Sequence, residues 1–284
     1  MKKEIILTQE EFADLKKKKR IIGAGVDGTV YGINSKMVYK FYHNTSDSIV
    51  ILGQGIYDED GVNIRNPKEL SRYTTRINNK PINYTDKDGV ILHREDAIRK
   101  AIEKQKYVKY TNLPQQIIKV NKRLVGCSYK RYKSVLGIYA LSFFPLSTRK
   151  RVLKKLYLKL KELYENNIYP VTLAQKNDLL PFSKKESNVI LDYSLEPQII
   201  DLDGISTYYS DSFCRREYER SLSSFSILAF EILSGFDFIE FDNDFEFEEY
   251  IEQVVSRGVP RELVEDIYDQ HGFTDNERIL KLLK

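Results

Sequence analysis

Residues 23–30 read Gly23-Ala-Gly25-Val-Asp-Gly28-Thr-Val30, three glycines in six positions with a valine two residues past the last. Without Cβ atoms, such a run lets backbone N–H groups approach an anion closely, so phosphate binding is the chemistry it suggests. The same spacing can open the helix of a dinucleotide-binding fold, or form a plain hairpin with a glycine bulge. Gly28 leads into Thr-Val-Tyr-Gly-Ile, β-branched and aromatic, so a hairpin is expected rather than a helix. Lys40 stands twelve residues past Gly28, inside Val38-Tyr39-Lys40-Phe41-Tyr42. An ammonium in an apolar strand is costly unless it meets an anion, although a lysine on an edge strand can snorkel to water.

A second constellation lies at 197–207, Pro-Gln-Ile-Ile-Asp201-Leu-Asp203-Gly-Ile-Ser-Thr. A hydrophobic strand ending in two carboxylates suits a hard divalent cation. Asp-x-Asp-Gly is also a turn pattern, and it recurs at 58–61 and 86–89, where no Ile-Ile strand precedes it. Asn188 precedes Asp201 by thirteen residues, across an expected strand–turn–strand, a place where asparagine is a common turn residue.

Pattern also predicts the elements that must position these residues. Thr8-Gln-Glu-Glu11 is a capping box at the start of a short helix. The glycine run and residues 37–43 then form an antiparallel meander, with a turn at Asn34-Ser35. From 43 to about 95, turn signals dominate, which predicts an insertion with hairpins of its own. Residues 96–110 read as a helix carrying Glu103, which either faces inward toward the lysine or pairs on the surface with Lys106. Residues 115–132 predict a hairpin turning near Asn121. A basic helix from Ser147 places Val152, Leu153, Leu156, Leu160, Leu163 and Tyr164 on one face, and Asn166-Asn167 closes it. Strands at 188–191 and 197–201 precede an apolar helix over 220–235. The tail reads as helical, with Pro260 in a first turn and Thr274-Asp-Asn-Glu277 as another capping box. The expected class is therefore α+β: an antiparallel β-sheet lobe with one main helix, residues 1–132, and a mostly helical lobe, residues 133–284. A cleft between such lobes is where a ligand is expected.

Composition excludes several classes. Of 284 residues, 42% are hydrophobic and 30% charged, which is ordinary for a globular chain. No apolar run approaches the roughly 18–20 residues that span a bilayer. The N-terminus turns acidic after three apolar residues, so no signal peptide is expected. Two cysteines, Cys127 and Cys214, do not make a disulfide framework or a zinc site, and a cytoplasmic location is expected. A net charge of +4 without interleaved aromatic platforms argues against nucleic acid. The runs at 16–20, 149–155 and 241–250 are solvated faces or docking patches.

From the glycine loop to the apolar helix ending at 235, the chain resembles the protein kinase family. That resemblance implies a two-lobed protein kinase-like fold that binds ATP and Mg²⁺ or Mn²⁺. Gly23, Gly25 and Gly28 would cover the phosphates, Val30 would roof the adenine, and Lys40 would contact the α- and β-phosphates. Glu103 would orient Lys40, and the hinge would lie near Lys130-Arg131-Tyr132. Asp201 would hold the metal, with Asn188 on a second ion. Asp203 stands where the family has glycine, a form similar to small-molecule and atypical kinases.

The chain also departs from the family. The catalytic aspartate's position is occupied by Thr172, with Pro170 in place of the histidine, and threonine is no base near pH 7. The 172–188 segment is longer than the family's loop, and within it Asp178 is either a relocated base or a solvated residue. Ser221 replaces an aspartate that ties the catalytic loop from below. About twenty residues separate Asp201 from the apolar helix, a small platform for a peptide, with Tyr208, Tyr209 and Ser210 as possible phosphosites. Three readings are open: an atypical phosphotransferase acting on protein hydroxyls or on itself, a pseudokinase scaffold that binds nucleotide and recruits partners, and a small-molecule kinase.

Overall fold

The computed structural model describes residues 4–24, 28–43, 49–52, 90–108, 111–132, 136–168, 173–175, 186–200, 202, 211–239 and 244–284, several of them by backbone alone. The chain divides into two compact units. The first comprises Met1–Lys133, Glu165–Pro170 and Asp201–Cys214, the second Ser134–Tyr164, Val171–Ile200 and Arg215–Lys284.

The first unit is built on a six-stranded sheet. Its strands are β1 (Glu4–Leu7), β2 (Arg20–Ala24), β3 (Gly28–Gly32), β4 (Met37–Tyr42), β7 (Gln116–Val120) and β8 (Arg123–Lys130), in the order β1-β7-β8-β4-β3-β2. The β2–β3–β4 meander is antiparallel as its pattern predicts. The β7–β8 hairpin turns on Asn121 and Lys122, both with positive φ, +50° and +66°. Those are the backbone angles of a two-residue hairpin turn, and asparagine tolerates them best among side-chain-bearing residues. β5 (Ile49–Leu52) and β6 (Val90–His93) pair antiparallel at the base of the expected insertion. Its turns at 58–61, 78–81 and 86–89 lie outside the described residues.

Strand β1 is not legible in the sequence. Four residues, Glu-Ile-Ile-Leu, give no alternation, and the strand exists because it pairs parallel with β7. It leads into helix α1 (Gln9–Lys18), where the capping box forms as expected: Thr8 Oγ1 accepts from Glu11 N–H, and Glu11 accepts from Thr8 N–H. Phe12 and Leu15 of α1 pack on one face of the sheet against Tyr31, Phe41, Ile118, Val120 and Val125. Helix α2 (Arg94–Lys104) packs on the other face, where Ile98 and Ile102 meet Val38, Tyr42, Ile117, Cys127 and Tyr129. α2 begins two residues earlier and ends six earlier than the 96–110 span predicts. Successive side chains of a strand alternate in direction, so Val38, Lys40 and Tyr42 face α2 while Tyr39 and Phe41 face α1.

In the second unit, β9 (Leu136–Gly137), β12 (Val189–Leu191) and β13 (Pro197–Ile199) form a small sheet in the order β13-β12-β9, and β10 (Ala174–Gln175) pairs with β11 (Glu186–Ser187). Between β9 and helix α3 (Leu146–Glu165) runs a 3₁₀ segment, Ile138–Phe143. α3 buries the expected stripe except Tyr164, which is half-buried, and Asn167 ends it with φ +53°. Helix α4 (Asp211–Ser234) is buried on nearly every side from Ser221 onward, as its all-round apolar sequence requires. The tail forms α5 (Asp244–Val255), α6 (Arg261–Asp269) and α7 (Asn276–Leu282). Pro260 is the N-cap of α6 rather than a first-turn residue. At α7 the cap is Asp275, whose carboxylate accepts from Arg278 N–H at 2.8 Å, so the box starting at Thr274 is off by one residue. Both residue types cap well, and sequence cannot choose between neighbours. Among the described residues, no helix is long and apolar enough to cross a membrane.

Candidate functional site

Lys40 lies in an interior strand, opposite Val30 of β3 on one side and Cys127 of β8 on the other. It therefore has no sheet edge from which to snorkel. Only 6% of it is exposed. Its Nζ stands 5.7 Å from the centroid of the Tyr42 ring, within the range of a cation–π contact. Tyr42 in turn donates its O–H to Cys127 Sγ at 3.3 Å.

The glycines separate into two kinds. A Cβ on Gly28 would meet the Phe41 carbonyl oxygen at 2.5 Å, and one on Gly126 would meet that of Lys40 at 2.0 Å. Both glycines let the strands flanking β4 come close to it, so the packing of the sheet accounts for them. Gly23 differs: a Cβ there would find its nearest neighbour at 3.9 Å, an ordinary contact. Packing of the sheet alone therefore does not account for glycine at 23. A bulge between Ile21 and Gly23 re-aims this strand, and Ile21 and Ile22 are left 56% and 44% exposed. Val30 packs on the cluster beneath α2. Gly25 lies outside the described residues.

The inward role expected for Glu103 is corrected. Ile98, Ala101 and Ile102 occupy the sheet-facing side of α2, and Glu103, the next position round the helix, is exposed. Lys106 is raised, first by its hydrogen bond to Tyr107 and, as a smaller cause, by the charge of Glu103. The charge of Glu103 thus reaches Lys106, the surface partner that spacing offers it. α2 is pinned at its first turns instead. Arg99 bonds Glu4 and Glu95, and Lys119 Nζ lies 2.7 Å from Glu95 and 3.5 Å from Glu4. The Arg99 hydrogen bond holds the Glu4 carboxyl below the usual range. Burial pushes Glu95 up, but hydrogen bonds from Lys119 and Arg99 outweigh it and leave Glu95 lowered.

In the second unit, Asn188 is half-buried and its backbone is fixed on both sides. Its N–H donates to the Leu173 carbonyl at 2.9 Å, and its carbonyl accepts from Ile200 N–H at 2.8 Å. The β12–β13 pairing thus closes the thirteen-residue gap, so Asn188 hydrogen-bonds to the residue just before Asp201. The side chain of Leu202 is buried. Asp201, Asp203, Pro170, Thr172, Asp178, Tyr208, Tyr209 and Ser210 lie outside the described residues, and no metal-binding group of three or more side chains occurs within those described. The β10–β11 pair sits immediately before Asn188, so the long 172–188 segment has a hairpin stem. α4 begins at Asp211, only ten positions past Asp201, half the length expected from sequence. Ser221 is buried in α4.

Two charged residues that sequence pattern did not single out are structural. Lys159 on α3 is buried, donating to the Pro197 carbonyl at 2.6 Å and paired with Glu196 at 3.0 Å. Burial lowers its pKa, and the Glu196 hydrogen bond opposes that shift. Its position in phase with Leu156 and Leu163 was the available signal. Arg149 donates to the carbonyls of Phe144 at 2.7 Å and of Ile232 and Leu233 at 3.1 and 3.3 Å, capping the end of α4. Lys155 pairs with Glu196, while Arg151 and Lys154 of the same run are exposed, as a solvated face would be. In the acidic run, Glu248 meets Arg261 at 2.9 Å.

No family model and no curated protein matches this chain. Among solved structures, an apo pseudokinase is similar to it, with a TM-score of 0.46 and 11% identity over 100% of this chain and 92% of that one.

Proposed function

We propose that the chain has a protein kinase-like fold and binds ATP with Mg²⁺ or Mn²⁺, as an atypical phosphotransferase acting on protein hydroxyls or on itself. The observation that carries this is Lys40, a lysine 6% exposed in the middle of a sheet, beside a glycine hairpin whose Gly23 the packing does not require. A lysine ammonium held at a fixed place beside such a hairpin is suited to act as a point charge on a phosphate. In this reading Gly23, Gly25 and Gly28 cover the phosphates, Val30 roofs the base and Lys40 holds the phosphate charge. Asn188, Asp201 and Asp203 hold the metal, with Asp178 as the base. The bound nucleotide supplies the γ-phosphoryl group, and the metal neutralises its developing charge.

Two observations favour other outcomes at the same site. Thr172 at the base position and an exposed Glu103 favour a pseudokinase scaffold that recruits partners without transfer. The ten-position step from Asp201 to α4 leaves little room to hold a peptide and favours a small-molecule acceptor. Radiolabelled ATP with Mg²⁺ or Mn²⁺ on the purified chain separates them, with Lys40→Ala, Asp201→Ala and Asp178→Ala in parallel. Label on protein that is lost in all three variants is the expected result. Binding without transfer to any acceptor leaves the scaffold, label on an added metabolite alone leaves the small-molecule kinase, and no binding by the wild type removes all three.

A further inference from the structure

We infer that Tyr42 is a positioning residue for Lys40, its ring holding the ammonium in place and Cys127 holding the ring; this rests on the nucleotide-binding reading above. Lys40 and Tyr42 are two residues apart on β4, so their side chains leave the same face of the sheet. The Lys40 Nζ lies 5.7 Å from the ring centroid of Tyr42. Tyr42 is only 4% exposed and Cys127 fully buried, so the contact is shielded from water, where the attraction of a cation for a π-face is strongest.

The ring itself is held. Its hydroxyl donates to Cys127 Sγ at 3.3 Å, which gives a buried phenol the partner it needs. Cys127 is also the residue directly across from Lys40 in the β4–β8 pairing. One residue of β8 therefore sets the strand beside the lysine and fixes the ring beneath its ammonium. Ile98 of α2 packs into the same cluster and closes it from the helix side.

A ring and a carboxylate act differently as neighbours of a lysine. The physical difference has a consequence for binding. A carboxylate neutralises a lysine, whereas a ring attracts it through its quadrupole and adds no negative charge. The ring thus restricts where the ammonium points without competing with a phosphate for its charge.

The test is a Mg·ATP titration of the full chain by calorimetry, with thermal melting of each variant to confirm folding. Tyr42→Phe keeps the ring but loses its bond to Cys127 and is expected to bind about threefold more weakly than wild type. Tyr42→Leu removes the ring and is expected to bind about tenfold more weakly. On a Lys40→Met background the same Tyr42→Leu change is expected to add nothing, because the contact it removes is already gone. An equal loss on both backgrounds would show that Tyr42 merely supports the sheet, and would overturn the inference. If Tyr42→Leu does not fold, a series of progressively fluorinated phenylalanines at position 42 replaces it. Fluorine drains the ring's quadrupole at nearly constant shape, so affinity is expected to fall with each fluorine, and a flat series would overturn the inference. A wild type that binds no nucleotide removes the functional reading and this inference with it; a wild type that binds, with additive variants, removes this inference alone.

Discussion

Under the proposed function, Lys40 sets stability against nucleotide binding at a single residue. Lys40 is 6% exposed, and burying an ammonium costs more than burying an apolar side chain of similar length, which would fill the same space. Lys40→Met is therefore expected to melt at or above the wild-type temperature while losing the rise in melting temperature that saturating Mg·ATP gives the wild type. A melt with and without Mg·ATP checks both halves, and a large destabilisation of the unliganded variant would instead make Lys40 structural. The glycines give a complementary pair. Gly28→Ala drives a Cβ to 2.5 Å from the Phe41 carbonyl and is expected to cost about 1–3 kcal/mol in a denaturant melt. Gly23→Ala has an ordinary 3.9 Å contact and is expected to leave stability nearly unchanged. Any loss of nucleotide affinity in Gly23→Ala then reports on the ligand rather than on the sheet.

At the scale of elements, helix α2 and the N-terminal strand β1 are joined by charges as well as by packing. Glu4 and Glu95 are both lowered in the folded chain. A carboxylate lowered on folding stabilises fully above its unfolded value, about 4.3, and that stabilisation is lost as pH falls through the folded value. Side-chain exposures of 31% for Glu4 and 30% for Glu95 mean that solvent screens part of this. Glu95→Gln is expected to flatten the acid limb of melting temperature against pH below about 4.3, and an unchanged limb would show that the network contributes nothing. Lys159 plays a different part, joining α3 to β13 through the Pro197 carbonyl and Glu196. Lys159→Ala leaves a buried carbonyl without this donor and is expected to cost about 1–3 kcal/mol by denaturant melt. Lys159→Met, which preserves the aliphatic packing, is expected to cost less.

For the molecule as a whole, the proposed function turns on Thr172, which stands where the resemblance to protein kinases places a catalytic aspartate. Positioning and charge neutralisation supply most of the acceleration in this chemistry, while a general base adds roughly 10²–10⁴-fold. Thr172→Asp is therefore expected to raise the rate of label transfer at least about a hundredfold if the site is a slow phosphotransferase. No gain in a single-turnover assay, with nucleotide affinity intact, would place the chain among scaffolds. The same measurement on Asp178→Ala checks whether the aspartate in the rebuilt 172–188 segment already serves as base.

Local pattern by itself determined much of this protein. The capping box at Thr8, the meander around Gly28, the Asn121 turn, the α3 stripe and the all-round apolar α4 were legible because each depends on neighbours within a few residues. Tertiary structure decided the rest, because the deciding partner is distant in sequence. β1 exists only through β7, more than a hundred residues away, and Glu103 turned outward because Ile98 and Ile102 claimed the sheet-facing side of its helix. The phase of Lys159 with Leu156 and Leu163 hinted at burial, but only the tertiary structure supplied its partner, the Pro197 carbonyl. The sequence likewise showed a lysine on an apolar strand, but only the six-strand order placed that strand in the interior, with Tyr42 and Cys127 beside the ammonium.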